Sequence, residues 1–506
     1  MSRVLSVIPF ETEPGRPYLY DDNTGMVFPS TPATLDLLEA HRDLPLESAV
    51  ASLSGRHPAD ALEAAADFVN RWETRFGAFY RIPEYGEATR KQMTEFSQSD
   101  VETLLAEHAW VQLVLVLTEN CNLRCSYCYY SDAYPLSRNR TDKQLSLEMG
   151  KKALDYFFSH AAPKVASNPM RKLAINFYGG EPLMAQKVLR ELTLYAREHA
   201  PAELVFAVTT NGTMLRGDIV DFLVEQGFYI LVSLDGGAED HDRNRVFPNG
   251  GGTFDRIRQN LADLRTRHPH YKKVHHIAVF DWKTDLTRVN QFHEENADWL
   301  PPLQMASQAN DGDTTYYQQF SEEDRNRFGE GHQRLEQIYL DARMSGRPVP
   351  VFARVYFEMR IISALLRRRQ GNLPFGMLPF TNTCVPGSKL AVRADGTLDI
   401  CERINGTMPI GHLDDRGIDY ARVESIIKDY NEKVCSNCWS CPVTKLCARC
   451  FASCNTDETF SGNENCQNTV EGIRLTLATM YRVLEAKPDA FSDLSFFNPE
   501  LQLLTR

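Results

Sequence analysis

Three cysteines, Cys121, Cys125 and Cys128, stand in the segment ENCNLRCSYCYY, directly after the apolar run from Val111 to Thr118. The spacing Cys-x3-Cys-x2-Cys puts three thiolates on one short loop at the end of a candidate strand. Three thiolates can hold three irons of a 4Fe–4S cluster and leave the fourth iron open to a ligand that is not protein. Such an iron is a place to bind and reduce a small molecule. A structural zinc loop is the alternative chemistry. It ordinarily takes four Cys or His ligands, and no fourth Cys or His lies close by in the sequence.

Other strand-like runs also end in polar groups. Leu173–Tyr178 (LAINFY) runs into Gly179, Gly180, Glu181 and Pro182, where glycines admit close backbone approach and Glu181 offers a carboxylate. LVFAVTTNGT ends in Thr210, Asn211 and Gly212, and YILVSLDGG carries Ser233 and Asp235 before Arg243 and Arg245 of HDRNR. Each turn alone is an ordinary strand-to-loop junction. Their order and βα spacing, together with the cysteine loop, resemble the radical S-adenosylmethionine (SAM) superfamily. The resemblance implies that the open iron chelates the amino and carboxylate groups of SAM. One electron then cleaves SAM to methionine and a 5′-deoxyadenosyl radical, which takes hydrogen from a substrate. It further implies that Gly179, Gly180 and Glu181 serve the SAM amino group, and that Ser233 and Arg245 contact ribose or carboxylate. Tyr127 lies beside adenine in this scheme, and Thr210, Asn211 and Asp235 complete the cofactor-binding strand ends.

Nine of the 12 cysteines lie after residue 380: Cys384, Cys401, Cys435, Cys438, Cys441, Cys447, Cys450, Cys454 and Cys466. A disulfide scaffold is disfavoured, because MSRVLSVIPFETEPG has no apolar stretch that marks secretion; a cytoplasmic location is expected. A zinc ribbon stays open. Cys384-x11-Gly396-x4-Cys401, then Cys438-x2-Cys441-x5-Cys447, then Cys466, resembles the SPASM domain of radical SAM enzymes. This implies two auxiliary 4Fe–4S clusters beside the SAM-binding one. By carry-over, the outer cluster takes Cys438, Cys441, Cys447 and Cys466, and the inner one Cys384, Cys401 and either Cys450 or Cys454. Cys435 is a fourth ligand or a free thiol. The sequence departs from the family in placing two residues, not three, between Cys447 and Cys450, and its nine thiols exceed the eight that two fully ligated clusters use. Leu390–Ile400 reads as a hairpin turning at Asp395-Gly396, which brings Cys384 and Cys401 together. Glu402, next to a cluster cysteine, is a candidate catalytic base; a solvated loop carboxylate is the plainer reading.

The elements that must position these groups read as strands alternating with helices, such as Leu147–Phe158 and Gln186–Ala196, with further strands at Val274–Phe280 and Leu303–Ala306. About six strands point to an α/β fold, a partial (β/α)6 TIM-like barrel with functional residues at strand C-terminal ends. Ahead of it, Tyr18–Phe28 reads as two strands joined at Asn23-Thr24-Gly25, followed by helices after Ser30-Thr31 and after Pro58. This content loosely resembles the winged-helix-like peptide-recognition module fused to maturases of ribosomally made peptides; a helical cap on the barrel is the alternative. The expected divisions are 1–80 for that module, 81–107 for a linker with a bridging helix and 108–340 for the barrel. A helical connector at 341–380, the SPASM domain at 381–470 and a helical tail at 471–506 complete them. The net charge of −12 and the lack of a basic stripe argue against a nucleic-acid partner. No apolar run is long enough to span a bilayer.

The expected activity is that of a peptide maturase. It binds a precursor's leader at the N-terminal module and takes electrons from a reductant such as flavodoxin or ferredoxin. It installs a crosslink, with a Cys thioether as first choice. Carbon–carbon or ether crosslinking, epimerisation, and oxidation of Cys or Ser as in sulfatase maturation are the alternatives. A non-catalytic iron–sulfur or zinc interaction protein is the contrasting class, and such a protein has no need of the SAM-directed residues.

Overall fold

The structure, a computed structural model, describes residues 3–81, 88, 91, 95–137, 140–367, 381–404, 406–462 and 466–492. Parts of the expected linker, connector and C-terminal tail therefore lie outside the described residues.

Six strands are hydrogen-bonded in chain order and all parallel: Gln112–Val116, Leu173–Tyr178, Leu204–Thr210, Tyr229–Ser233, Val274–Phe280 and Leu303–Gln308. Parallel neighbours need a crossover, and helices supply it, among them Leu147–Ser167, Gln186–His199, Asp218–Glu225 and Phe254–Arg267. The first strand, QLVLV, is buried throughout, as expected of a parallel strand covered on both faces. Alternation divides the sheet. Ile175, Phe177, Phe206, Val208, Ile230 and Val232 join the core shared with the helices. Ala174, Val205, Ala207, Tyr229 and Leu231 form a separate cluster on the opposite, inner face. Ser146 caps the helix Leu147–Ser167 by accepting from Met149 N. On that helix Gly150 packs closely: a Cβ there would lie 2.5 Å from Leu192 Cδ1 and push that side chain aside.

The sheet does not close on itself. Leu303–Gln308 is one edge, and the other side of Gln112–Val116 pairs in parallel with Lys389–Val392 from the cysteine-rich region. That strand turns back at Asp395-Gly396 into Thr397–Asp399, with Gly396 at φ 91°. The expected hairpin is present, and it extends the barrel sheet. Two short strands, Gly411–His412 and Gly417–Ile418, complete ten strands in all.

The N-terminal region is an antiparallel meander, Val7–Glu11, Pro17–Asp21 and Met26–Pro29, with helices Pro32–His41, Leu46–Ser52 and Ala59–Phe76. Val7, Leu19 and Phe28 face these helices. The alternate residues Ile8, Phe10 and Tyr20 share a core with the helices Glu322–Ser345, Val351–Arg367 and Cys466–Ala486. The strand Val7–Glu11 is absent from the sequence reading because Pro9 interrupts it; as an edge strand it tolerates a residue without an N–H. Among the described residues no helix is long and apolar enough to cross a membrane.

Candidate active site

The cysteine loop leaves the C-terminal end of the first barrel strand and crosses toward the fourth. Arg124 N donates to Val246 O at 2.8 Å and Ser126 N to Asn244 O at 3.1 Å, so the loop is pinned on both sides of Arg245. Leu123 N and Tyr130 N approach Cys121 Sγ and Cys128 Sγ at 3.4 and 3.5 Å, and Asn211 Nδ2 approaches Cys121 Sγ at 3.8 Å. Such donors favour thiolate and tune a cluster held by it. Burial pushes the Cys121 thiol up to about 12, with Glu181 adding to the rise. It pushes Cys125 up to about 11 against the opposing charge of Arg245. Cys125 and Cys128 add smaller contributions to the same rise at Cys121. A bound metal deprotonates such thiols outright.

Gly179 and Gly180 are glycines for a local reason. A Cβ on Gly179, which sits at φ 147°, would meet Thr118 O at 2.4 Å, and one on Gly180 would meet Asn120 O at 2.2 Å. Gly180 N donates to Thr118 O at 2.7 Å and Glu181 N to Asn120 O at 3.0 Å. The close backbone approach anticipated for a ligand is made here by the cysteine loop's own stem. Glu181 is fully buried, and its carboxylate accepts from Leu183 N (3.0 Å), Thr210 Oγ1 (2.7 Å) and Asn211 N (2.7 Å). It ties the second strand end to the third. Burial raises its pKa, and these three donors oppose the rise. Asn211 in turn donates to Asn122 Oδ1 at 2.8 Å.

Tyr127, Asp235 and Arg245 form one buried group. Tyr127 OH donates to Asp235 Oδ2 at 2.5 Å, and Arg245 Nη1 donates to Tyr127 OH at 2.8 Å. Val279 N donates to Asp235 Oδ1 at 3.1 Å. Arg245 is only 7% exposed, and its Nε has no hydrogen-bond partner. An orphaned guanidinium donor in contact with the field of Cys125 fits a carboxylate brought beside the cysteines. Three thiols on one short loop are the donor set of an iron–sulfur cluster with one open iron. A cavity of ≈ 360 Å³ opens beside Cys125, lined also by Arg124, Tyr130 and Arg140 among others. Ser233 closes the fourth strand and is half-buried. Sequence reasoning missed Asn122, and also His241 and Thr253, which brace Arg245's backbone: His241 Nε2 lies 2.9 Å from Thr253 Oγ1, which donates to Arg245 O at 2.9 Å.

The C-terminal cysteines fall into two neighbourhoods. Cys384 and Cys401 each feel Cys450, Lys389 and Glu402. Cys447 feels Cys438, Cys441 and Cys466. Cys435 acts strongly on Cys438. Arg449 stands between the sets, donating to Cys454 Sγ at 2.9 Å and Cys466 Sγ at 3.3 Å. Among the described residues no three His, Cys, Asp or Glu side chains converge closely enough for a single metal ion. Glu402 pairs with Lys389 Nζ at 2.9 Å. Burial pushes its carboxyl up, but Lys389 and then Arg403 outweigh this and hold it below the ordinary range. A carboxylate held ionised by an ammonium takes up a proton less readily than a free one. Arg403, missed from the sequence, is 48% exposed and lines a cleft with Tyr129, Tyr134, Asn310, Asp313 and Asn455. Its position two residues after Cys401 was the available signal.

Residues 115–281 match the model of the Radical SAM superfamily. Over 155 residues the chain is 31% identical to the cysteine-type anaerobic sulfatase-maturating enzyme of Clostridium novyi (strain NT), which covers 30% of this chain and 39% of that protein. Over 185 residues it is 26% identical to the serine-type anaerobic sulfatase-maturating enzyme of Bacteroides thetaiotaomicron, covering 36% and 42%. The chain thus spans about two fifths of the length of these curated relatives. Native anSMEcpe with bound AdoMet and Kp18Cys peptide superposes with a TM-score of 0.55 at 20% identity, over 75% of this chain and 99% of that one. At that identity the likeness speaks to the fold.

Proposed function

Because residues 115–281 form a radical SAM domain, we propose that this chain modifies a peptide or protein by radical chemistry, with SAM as the radical source. A 4Fe–4S cluster on Cys121, Cys125 and Cys128 supplies, when bound, an open iron for SAM and the electron that cleaves it. The chain's own residues do the positioning. Arg245 offers its free Nε to the SAM carboxylate, Glu181 fixes the Thr210–Asn211 turn, and Tyr127 is held upright by Asp235 and Arg245.

One observation carries the extension from SAM cleavage to substrate modification. Tyr129, next to Cys128, and Arg403, two residues after Cys401, line one cleft. A peptide passing over that cleft would lie between the loop of Cys121, Cys125 and Cys128 and the segment that follows Cys401. Closing a Cys thioether removes one hydrogen atom from carbon, one thiol proton and one electron. A cluster held by Cys384, Cys401 and Cys450 would supply an acceptor for that electron. The similarity to cysteine- and serine-type sulfatase-maturating enzymes supports a second reading, oxidation of a Cys or Ser side chain in a protein substrate. In both readings the reductant is a low-potential protein of the flavodoxin or ferredoxin kind, and residues 1–80 engage the substrate's leader or flanking segment.

The test is anaerobic reconstitution followed by incubation with SAM, reductant and two substrates: a Cys-containing precursor peptide and a sulfatase-derived Cys or Ser peptide. A thioether shows as loss of two hydrogens with one fewer alkylatable thiol. An aldehyde captured by a hydrazide identifies the oxidase reading. Deoxyadenosine formation with neither product on either substrate overturns both.

A further inference from the structure

The N-terminal module grips the loop that carries the outer cysteines. Asp22 sits at the tip of the hairpin between Pro17–Asp21 and Met26–Pro29 and is 1% exposed. Its Oδ2 accepts from Thr444 N at 3.1 Å and Thr444 Oγ1 at 2.5 Å, and its Oδ1 accepts from Lys445 N at 3.0 Å. These are two backbone N–H groups and one hydroxyl of the turn between Cys441 and Cys447. Arg81 pairs with the same carboxylate and sends Nη1 to Cys438 O at 3.2 Å and Trp439 O at 2.9 Å. Lys445 Nζ answers with a bond to Asn23 O at 2.7 Å. A buried carboxylate and guanidinium from residues 22 and 81 thus satisfy both turns between which Cys438, Cys441 and Cys447 are strung. Hydrogen bonds of this kind at a metal centre set ligand orientation, and the charge beside a cluster sets its potential.

We propose that Asp22 and Arg81 are positioning residues for the outer auxiliary cluster, so that the N-terminal module is part of that cluster's supporting shell as well as a substrate-facing element. The proposal rests on reading Cys438, Cys441, Cys447 and Cys466 as cluster ligands. It joins the N-terminal sheet to a redox centre through two side chains, and any displacement of that sheet would be felt at the cluster.

The experiment uses the full chain, reconstituted anaerobically, with iron and sulfide content and the redox-titrated EPR spectrum as readouts. Cys441→Ala tests the underlying reading and should remove about four irons; unchanged iron in that variant refutes the ligand assignment itself. Asp22→Asn preserves shape and removes the charge. The expected result is either loss of about four irons or an upward shift in the midpoint potential of one cluster signal, with the signal of the SAM-binding cluster unmoved. Arg81→Met should shift the same signal in the opposite direction or lose it, and Arg81→Lys should restore part of the wild-type value. If Cys441→Ala loses iron while Asp22→Asn and Arg81→Met keep wild-type iron and potentials, the positioning role is overturned. Equal loss of all cluster signals together with the far-UV circular dichroism would make the pair a general scaffold, and would overturn it too.

Discussion

Glu181→Gln tests the site at its most connected point. The carboxylate is fully buried and accepts three hydrogen bonds, two at Oε1 from Leu183 N and Thr210 Oγ1 and one at Oε2 from Asn211 N. Glutamine keeps the first two through its carbonyl oxygen. Its amide nitrogen then faces Asn211 N–H, donor against donor. A hydrogen bond to a charged group contributes about 1.5–3 kcal/mol, and a buried donor left without a partner costs about 1–3 kcal/mol. Removing a buried charge offsets part of this, because burial already raises the Glu181 pKa. A net loss of about 2 kcal/mol follows, or a fall of a few degrees in the unfolding midpoint. The Thr210–Asn211 turn loses its anchor, and Asn211 reaches both Asn122 and Cys121, so SAM affinity should fall about ten-fold. Calorimetric melting and SAM titration of the reconstituted protein, with iron content as control, read these effects. An unchanged midpoint with unchanged SAM affinity would refute the claim that Glu181 braces the cofactor strand ends.

Arg245→Met removes the orphaned donor and the bond to Tyr127; SAM affinity should drop at least ten-fold or so with iron content unchanged, as measured by equilibrium binding. Cys401→Ala should uncouple the reaction, with deoxyadenosine still formed by chromatography but modified peptide absent by mass spectrometry. Asp281 shows a pH dependence. Burial pushes its carboxyl up, but Arg243 at 2.8 Å, with Tyr316 and Asn244, holds it below the ordinary range. A depressed folded pKa contributes stability that is present above the unfolded value of about 3.9 and is lost as pH falls through the folded one. Wild type should therefore lose more denaturation free energy than Asp281→Asn between pH 7 and about pH 3; equal losses would count against the pairing.

The six barrel strands and the glycine-rich turns were legible because each is written locally: an apolar run, then polar residues or glycine where the chain leaves the sheet. The hairpin at Asp395-Gly396 was legible for the same reason. Its docking beside Gln112–Val116 was not, since two apolar strands far apart in sequence carry no mark of their pairing. Val7–Glu11 was hidden by Pro9, whose penalty vanishes only at a sheet edge. Glu181 and Tyr127 could be singled out, but the sequence does not reveal that each side chain holds a neighbouring strand end. The Asp22–Thr444 contact needed the tertiary structure outright: a lone aspartate in a turn usually serves its own turn, and this one serves a loop from the far end of the chain.

The parallel pairing of Lys389–Val392 with Gln112–Val116 bears on how the polypeptide is made. During synthesis the first barrel strand emerges with one neighbour soon to follow and the other still far off. Until the distant hairpin arrives, QLVLV presents an apolar edge of unpaired N–H and C=O groups, the kind of edge that recruits other chains. Any expression strategy that ends the chain after the barrel should therefore yield inclusion bodies in place of a smaller soluble enzyme. Exchanging the cysteine-rich region for that of another protein should succeed only when the strand that seals this edge travels with it.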